Sequence, residues 1–334
     1  MARSAVPAVF HGANVITALL TRLGIALAAV ALCASAGAHT TRIVVPFAPA
    51  GGLDAVCRVL AQKLQQKDGT SYVVDNKPGA TGLIGAKMVA RAKPDGLTWL
   101  LQDSTSLTVN SLLQRDDREF DEKRDLVPVA AVSFLPSVLV VHPSLGVRTL
   151  EEFVLKARTK EIAYGSGGVG SLGHLTMEYF ASVANLRVLH VAYKGGAPAM
   201  TDLLGGRLQA AFVAVPVALP HIKSGALIPL AVSSRQRAYQ LPTVPTVAER
   251  GFRKFEVGAV YFVMLPAATP SEVVSDVHAR VEAVLADPET REQIRLVGAE
   301  PANQLTTTQA TDWLSAERDK WHDLIKRRGI RPMP

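Results

Sequence analysis

From Arg42 onward the chain alternates short apolar runs with segments whose apolar residues recur at helical spacing. The stretch Arg42–Leu64, RIVVPFAPAGGLDAVCRVLAQKL, sets the pattern. Ile43–Phe47 predicts a buried strand, Ala50-Gly51-Gly52 a turn, and the residues from Leu53 to Gln66 an amphipathic helix. Further strands are predicted at Tyr72–Asn76, Thr98–Gln102, Leu126–Val132, Ser137–Val141, Ala163–Gly165, Val188–Val191, Ala210–Val215, Ile228–Val232 and Val260–Leu265. Helices are predicted between them at Gly82–Ala92, Leu150–Arg158, Gly173–Ala184, Ala197–Gly205 and Ala218–Ser224. Breakers such as Lys93-Pro94-Asp95-Gly96 separate these segments. This alternation is the signature of an α/β architecture. The tail differs: Pro270–Ala286, Pro288–Val297 and Thr307–Arg328 read as three successive helices with no strand between them.

The strand–glycine turn–helix unit recurs at Ile162–Phe180 (IAYGSGGVGSLGHLTMEYF), which suggests two similar lobes. Val138–His142 and Val260–Pro266 are apolar runs meeting prolines, placed where the chain would pass from one lobe to the other. On this reading residues 39–140 and 262–334 form the first lobe, residues 141–261 the second, and the two passages a hinge. Each glycine turn opens a helix whose first N–H groups lack intrahelical acceptors. Those donors and the helix dipole favour an anion, a carboxylate or a phosphate.

The first 38 residues stand apart. Arg3 and Arg22 are their only charges, Gly24–Ser35 is an apolar run of signal-peptide length, and Ala36-Gly37-Ala38 is an A-x-A cleavage site. We therefore expect an exported, periplasmic protein cut after Ala38. A membrane anchor would need a longer apolar run, and a lipoprotein signal would want a residue smaller than Leu32 before Cys33. The leader carries two of the 36 basic residues and none of the 29 acidic ones, so the remaining 296 residues have a net charge of +5. That mild positive balance attracts anionic solutes, but without basic blocks it does not suggest nucleic acid. Only Cys57 survives cleavage, so no internal disulfide can form; its place on the apolar side of the first helix predicts a buried thiol.

Six separated motifs, in order, then carry a family resemblance: VPFAPAGGLDAVCR, VVDNKPGATGLIGAKMVARAKPDGLTWLL, YGSGGVGSLGH, VAYKGGAPAMTDLLGG, LPTVPTVAERG and LPAATP. Together they resemble the Bug family, the extracytoplasmic solute receptors of tripartite tricarboxylate transport systems. The resemblance implies a type II periplasmic-binding fold with two α/β lobes closing on a ligand like a flytrap. It implies a small carboxylate ligand (a mono-, di- or tricarboxylate or an acidic amino acid), held by backbone amides and ordered waters more than by a salt bridge. Carried over by position, the first loop is Phe47, Ala50, Gly51, Gly52 and Asp54. The second is Ser166, Gly167, Gly168, Gly170, Ser171 and His174, and Tyr193, Lys194, Gly195, Gly196 and Ala197 match the family's YKGGAP turn. Cys57 departs from the alanine usual there. The implied partners are membrane permease subunits or a sensor. No cofactor is expected, and the receptor is expected to be a monomer.

Several of these residues also have plainer readings. Phe47 could cover a ligand or fill the core. Asp54 suits helix capping, since an acid there would repel an acidic ligand. Ser166 and Ser171 offer uncharged hydroxyls to a carboxylate. His174 could sense ligand or pH, or bond a neighbouring turn, and Lys194 could offset ligand charge or be solvated. Ser104, Thr105 and Asn110 follow a strand on the side where α/β sheets bind ligands. The glycines of Gly79–Gly85 are spaced G-x-x-G-x-x-G, which does not fit a dinucleotide fingerprint. Ser166 or Ser171 with His174 would be the nucleophile and base of a secreted hydrolase, but Tyr164 and Val169 occupy the glycine positions a nucleophile elbow needs. The histidines lack metal-ligand spacing. A receptor for a small acid, not an enzyme, is the reading these patterns favour. A ligand sensor without a transport partner stays open beside it.

Overall fold

The computed structural model describes residues 40–113 and 120–331, without the side chains of Asn110 and Ser111. The expected leader and its cleavage site lie outside the described residues. In chain order the elements are β1 (Thr41–Val45), α1 (Gly52–Asp68), β2 (Tyr72–Asn76), α2 (Leu83–Ala90), β3 (Thr98–Asp103), α3 (Ser104–Leu113), α4 (Glu122–Asp125) and β4 (Leu126–Val141). Then come α5 (Leu150–Thr159), β5 (Ile162–Ser166), α6 (Leu172–Ala184), β6 (Val188–Ala192), α7 (Gly196–Leu204), β7 (Ala210–Ala214), α8 (Val215–Lys223) and β8 (Ile228–Val232). The chain ends in β9 (Gly258–Pro266), α9 (Ser271–Leu285), α10 (Pro288–Leu296), β10 (Glu300–Pro301) and α11 (Thr307–Arg328).

The strands run in the order β2-β1-β3-β9-β4-β7-β5-β6, with β10 and β8 also paired to β4. β1 is parallel to β2 and β3, and β5 is parallel to β6 and β7, as strand–helix–strand units require. The long strand β4 joins the two groups. It pairs antiparallel with β9 from Leu126 to Pro136, then with β7 from Ser137 and β8 from Val138. Pro136 has no N–H to give, and the change of partner falls at that residue. The sequence pattern suggests two strands here, Leu126–Val132 and Ser137–Val141, whereas the structure shows one. The residues between them continue the β9 ladder through bulges.

A larger departure is α3, a helix where the Ser/Thr-rich STSLTVNSLL has weak helix propensity and no helix is predicted. Asp103 ends β3 and accepts the Ser106 N–H at 2.8 Å, while the Thr108 hydroxyl folds back to the Ser104 carbonyl. Capping and burial of Leu107 and Val109 override propensity.

Ile43, Leu60, Leu64, Trp99, Val277 and Val281 fill the space between the first sheet and α1, α9 and α10. On its other face Val44, Val89, Leu100 and Phe262 pack with Trp313 of α11. The second sheet has its own core around Phe153, Tyr164, Phe180 and Phe212, and the end of α11 contributes Trp321 and Leu324 to it. The last helix therefore packs on both cores. Cys57 is fully buried and burial pushes its thiol far up, as expected for an inert core residue.

Where the chain passes between the sheets, the fully buried Ser233 ties three segments together. Its hydroxyl accepts the Ser137 N–H at 2.9 Å and donates to the Val257 carbonyl, and its own N–H donates to the Ser137 carbonyl at 2.8 Å. Ser233→Ala leaves a buried donor and a buried acceptor unpaired. We expect a loss of about 1–3 kcal/mol in chemical denaturation; an unchanged midpoint would show that these bonds do not brace the crossing.

Candidate functional site

β1 delivers Pro46 and Phe47 to the first glycine turn, where Ala50 adopts a left-handed conformation (φ 66°) and Gly51 becomes the N-cap of α1. Asp54 is buried in the first helical turn and holds the loop together. Its carboxylate accepts the Ala50 N–H at 3.0 Å, two bonds from Arg58 at 2.9 and 3.1 Å, and one from the Asn76 amide at 3.0 Å. Asn76 also donates to the Phe47 carbonyl at 3.1 Å. Burial would raise the Asp54 pKa, but the bonds from Arg58, Ala50 and Asn76 together hold it below the usual carboxylate range. Asp54 thus staples the loop. Gly52 faces the Tyr261 hydroxyl of β9, which a Cβ at Gly52 would approach to 3.3 Å. Phe47 is half-buried against the first core.

The second loop joins β5 to α6. Ser166 is buried, and its hydroxyl accepts the Gly168 N–H at 3.2 Å and contacts His190 Nε2 at 2.7 Å. The Ser171 hydroxyl donates to the Gly168 carbonyl at 2.7 Å. His174, also buried, accepts the Gly170 N–H on Nδ1 at 3.1 Å. The Tyr193–Ala197 turn lies backbone to backbone on this loop: Tyr193 N–H donates to the Ser166 carbonyl at 3.1 Å and Gly195 N–H to the Gly167 carbonyl at 3.2 Å. The Tyr193 hydroxyl is directed away, to Asp202 at 2.7 Å, while Lys194, Gly195, Gly196 and Ala197 are exposed. Gly170 (φ 81°) meets the first half of the molecule, where a Cβ would stand 2.6 Å from Leu113 Cδ1 of α3.

The polar side chains expected to greet a ligand are therefore mostly spent on the loops themselves. Ser104 is another: it is fully buried and accepts the Val260 N–H at 3.1 Å. Thr105 is buried beside it, and the Asn110 side chain lies outside the described residues. What the loops present instead is backbone. Among the described residues, the N-caps Gly51, Ser171 and Gly195 give α1, α6 and α7 no side-chain acceptor, as is also the case at the starts of α2, α8 and α9, whereas Thr149, Asp287 and Thr306 cap α5, α10 and α11. Uncapped N–H groups and helix dipoles suit an anion.

Sequence reasoning missed His190, whose position on edge strand β6 carries no motif. Its ring stacks on His174 with centroids 3.9 Å apart and on Tyr164 at 5.0 Å. Ser166 thus meets His190 rather than His174, and the His174 Nδ1 is already used by the loop backbone. Among the described residues no cluster of His, Cys, Asp or Glu could hold a metal ion. Burial, then repulsion from His190, pushes the His174 pKa from 6.5 down to about 3, and burial also lowers that of His190. Both rings fold neutral, whereas the unfolded chain takes up protons below 6.5. Stability from these rings is then complete above pH 6.5 and is lost as pH falls toward 3. Urea midpoints measured across that window should fall with acid, and His174→Gln should flatten the slope; an equal slope in the variant would contradict the assignment.

Comparison with known proteins places the chain. The model of the tripartite tricarboxylate transporter family receptor matches residues 56–330. The chain is 33% identical over 322 residues to protein BugT of Bordetella pertussis, covering 94% of this chain and 98% of that protein. Among solved structures, the periplasmic binding protein BugD superposes with a TM-score of 0.73 at 30% identity, covering 88% of this chain and 99% of BugD. A Rhodopseudomonas palustris protein, Rpa4515, solved with adipate, superposes with a TM-score of 0.75 at 30% identity over 88% of this chain and 98% of its own. A fold of two α/β lobes, two glycine loops with open helix N-termini and these matches agree: the chain belongs to the Bug family of tripartite tricarboxylate transporter receptors, periplasmic solute-binding proteins and not enzymes.

Proposed function

We propose that this receptor captures a small carboxylate between residues 39–140 with 262–334 on one side and residues 141–261 on the other, with α11 spanning both. The backbone N–H groups of the two glycine loops, together with ordered waters, hold the acid. The observation that carries this reading is that three helices start without side-chain caps at these turns, α1 at the first loop, α6 at the second and α7 at the Tyr193–Ala197 turn that lies backbone to backbone on it. The adipate in the Rpa4515 structure supports a carboxylate as the class of ligand. Closure follows if the acid makes more contacts in the closed form than in the open one. Export with cleavage after Ala38 would bring the receptor to the periplasm, and the loaded form would pass its ligand to membrane permease subunits.

Backbone recognition makes two substitutions informative. A ligand that binds the native state raises the melting temperature in a concentration-dependent way, so we expect one or a few members of a panel of mono-, di- and tricarboxylates and acidic amino acids to do so with the cleaved protein. Gly52→Val should abolish that shift by blocking approach to the α1 N-terminus. Lys194→Ala should weaken binding by less than ~100-fold (about 2.7 kcal/mol), because an exposed lysine adds screened charge to a site built on amides. Full affinity in the Gly52 variant would remove the first loop from the site.

A further inference from the structure

We propose that His190, with His174 stacked on it, is a positioning residue that sets the shape of the second anion-binding loop without touching the ligand; this rests on the loop's role proposed above. Each imidazole holds a different part of the loop: His190 Nε2 meets Ser166 Oγ at 2.7 Å, and His174 Nδ1 accepts the Gly170 N–H at 3.1 Å. Ser166 Oγ lies between His190 Nε2 at 2.7 Å and the Gly168 carbonyl at 3.1 Å, so the imidazole fixes the rotamer of the serine whichever of the two receives the hydroxyl proton. In that rotamer Ser166 Oγ accepts the Gly168 N–H, at 3.2 Å. His190 therefore acts through Ser166 to fix Gly168, and His174 fixes Gly170 directly. These are the residues on either side of Val169, at the tip of the loop.

The stack has a firm base. Tyr164 packs on His190 at 5.0 Å, and its hydroxyl donates to Glu178 at 2.6 Å. Glu178 in turn accepts the Arg328 Nε–H at 2.6 Å. The last turn of α11 is thereby tied, through a buried carboxylate and an aromatic ring, to the underside of the binding loop. A serine–histidine contact of this kind could suggest a nucleophile and base. Here the hydroxyl is buried, and it is committed to the loop's own backbone.

Two substitutions separate positioning from packing. His190→Phe keeps a stacking ring but offers Ser166 no hydrogen-bond partner, whereas His190→Gln restores a polar one. With adipate as the probe, calorimetry should show His190→Phe binding at least about tenfold more weakly (~1.4 kcal/mol) and His190→Gln recovering most of that loss. Amide hydrogen exchange at Gly168 and Gly170, measured without ligand, should quicken in His190→Phe and not in His190→Gln. Unchanged exchange at these amides in His190→Phe would overturn the proposal, as would wild-type affinity for adipate. If the unsubstituted protein binds neither adipate nor any other acid of the panel, the receptor reading fails, while the exchange measurement still decides whether His190 shapes the loop.

Discussion

The structure depends on one strand that belongs to two sheets. β4 pairs with β9 along the first part of its length and with β7 and β8 along the rest, changing partners at Pro136. The helices of the first half are hung on β1, β3 and β9, and those of the second half on β5 and β7, so both glycine loops are placed relative to this one element. A strand buried on both faces cannot slip by one residue without exchanging the side chains packed on its two sides. β4 is buried along nearly its whole length, which fixes the register of both halves at once. Ser233 reinforces the point of exchange by bonding to β4 and to the segment that enters β9.

Against that frame the site is built by subtraction. Serine, aspartate and histidine side chains around the loops satisfy one another or the local backbone, and α1, α6 and α7 start at these loops without side-chain caps. Buried polar groups left without partners cost free energy, so side chains near a cleft are drawn into internal bonds unless something prevents it. Helix N-termini cannot satisfy themselves in this way, because their acceptors would have to come from outside the helix. An anion is the natural partner for what remains. The rigidity of the loops matters as well: donors already held in place lose little entropy on binding.

The chain's last helix adds a constraint of another kind. Its first half packs with Phe262 and Leu100, and its second half places Trp321 in the core around Phe180 and Arg328 on Glu178. Glu178 is buried while Arg328 keeps about a third of its side chain in solvent, so the pair anchors an otherwise costly buried carboxylate at the edge of the core. The geometry it holds is that of Tyr164 and the two histidines above it.

The amino-acid sequence alone determined the alternation of strands and helices, both glycine loops and the burial of Cys57. Those features rest on local periodicity, on turn chemistry and on helix starts, all written within a few residues of one another. Motif order carried the family likeness. The tertiary structure decided the rest: that Ser104–Leu113 is a helix despite its composition, that β4 is a single strand serving two sheets, and that Ser166 and Ser171 face inward. It also brought forward His190, which meets Ser166 across 24 positions of sequence. Which donor a hydroxyl or imidazole engages depends on groups brought together only by packing, and no local pattern records that choice.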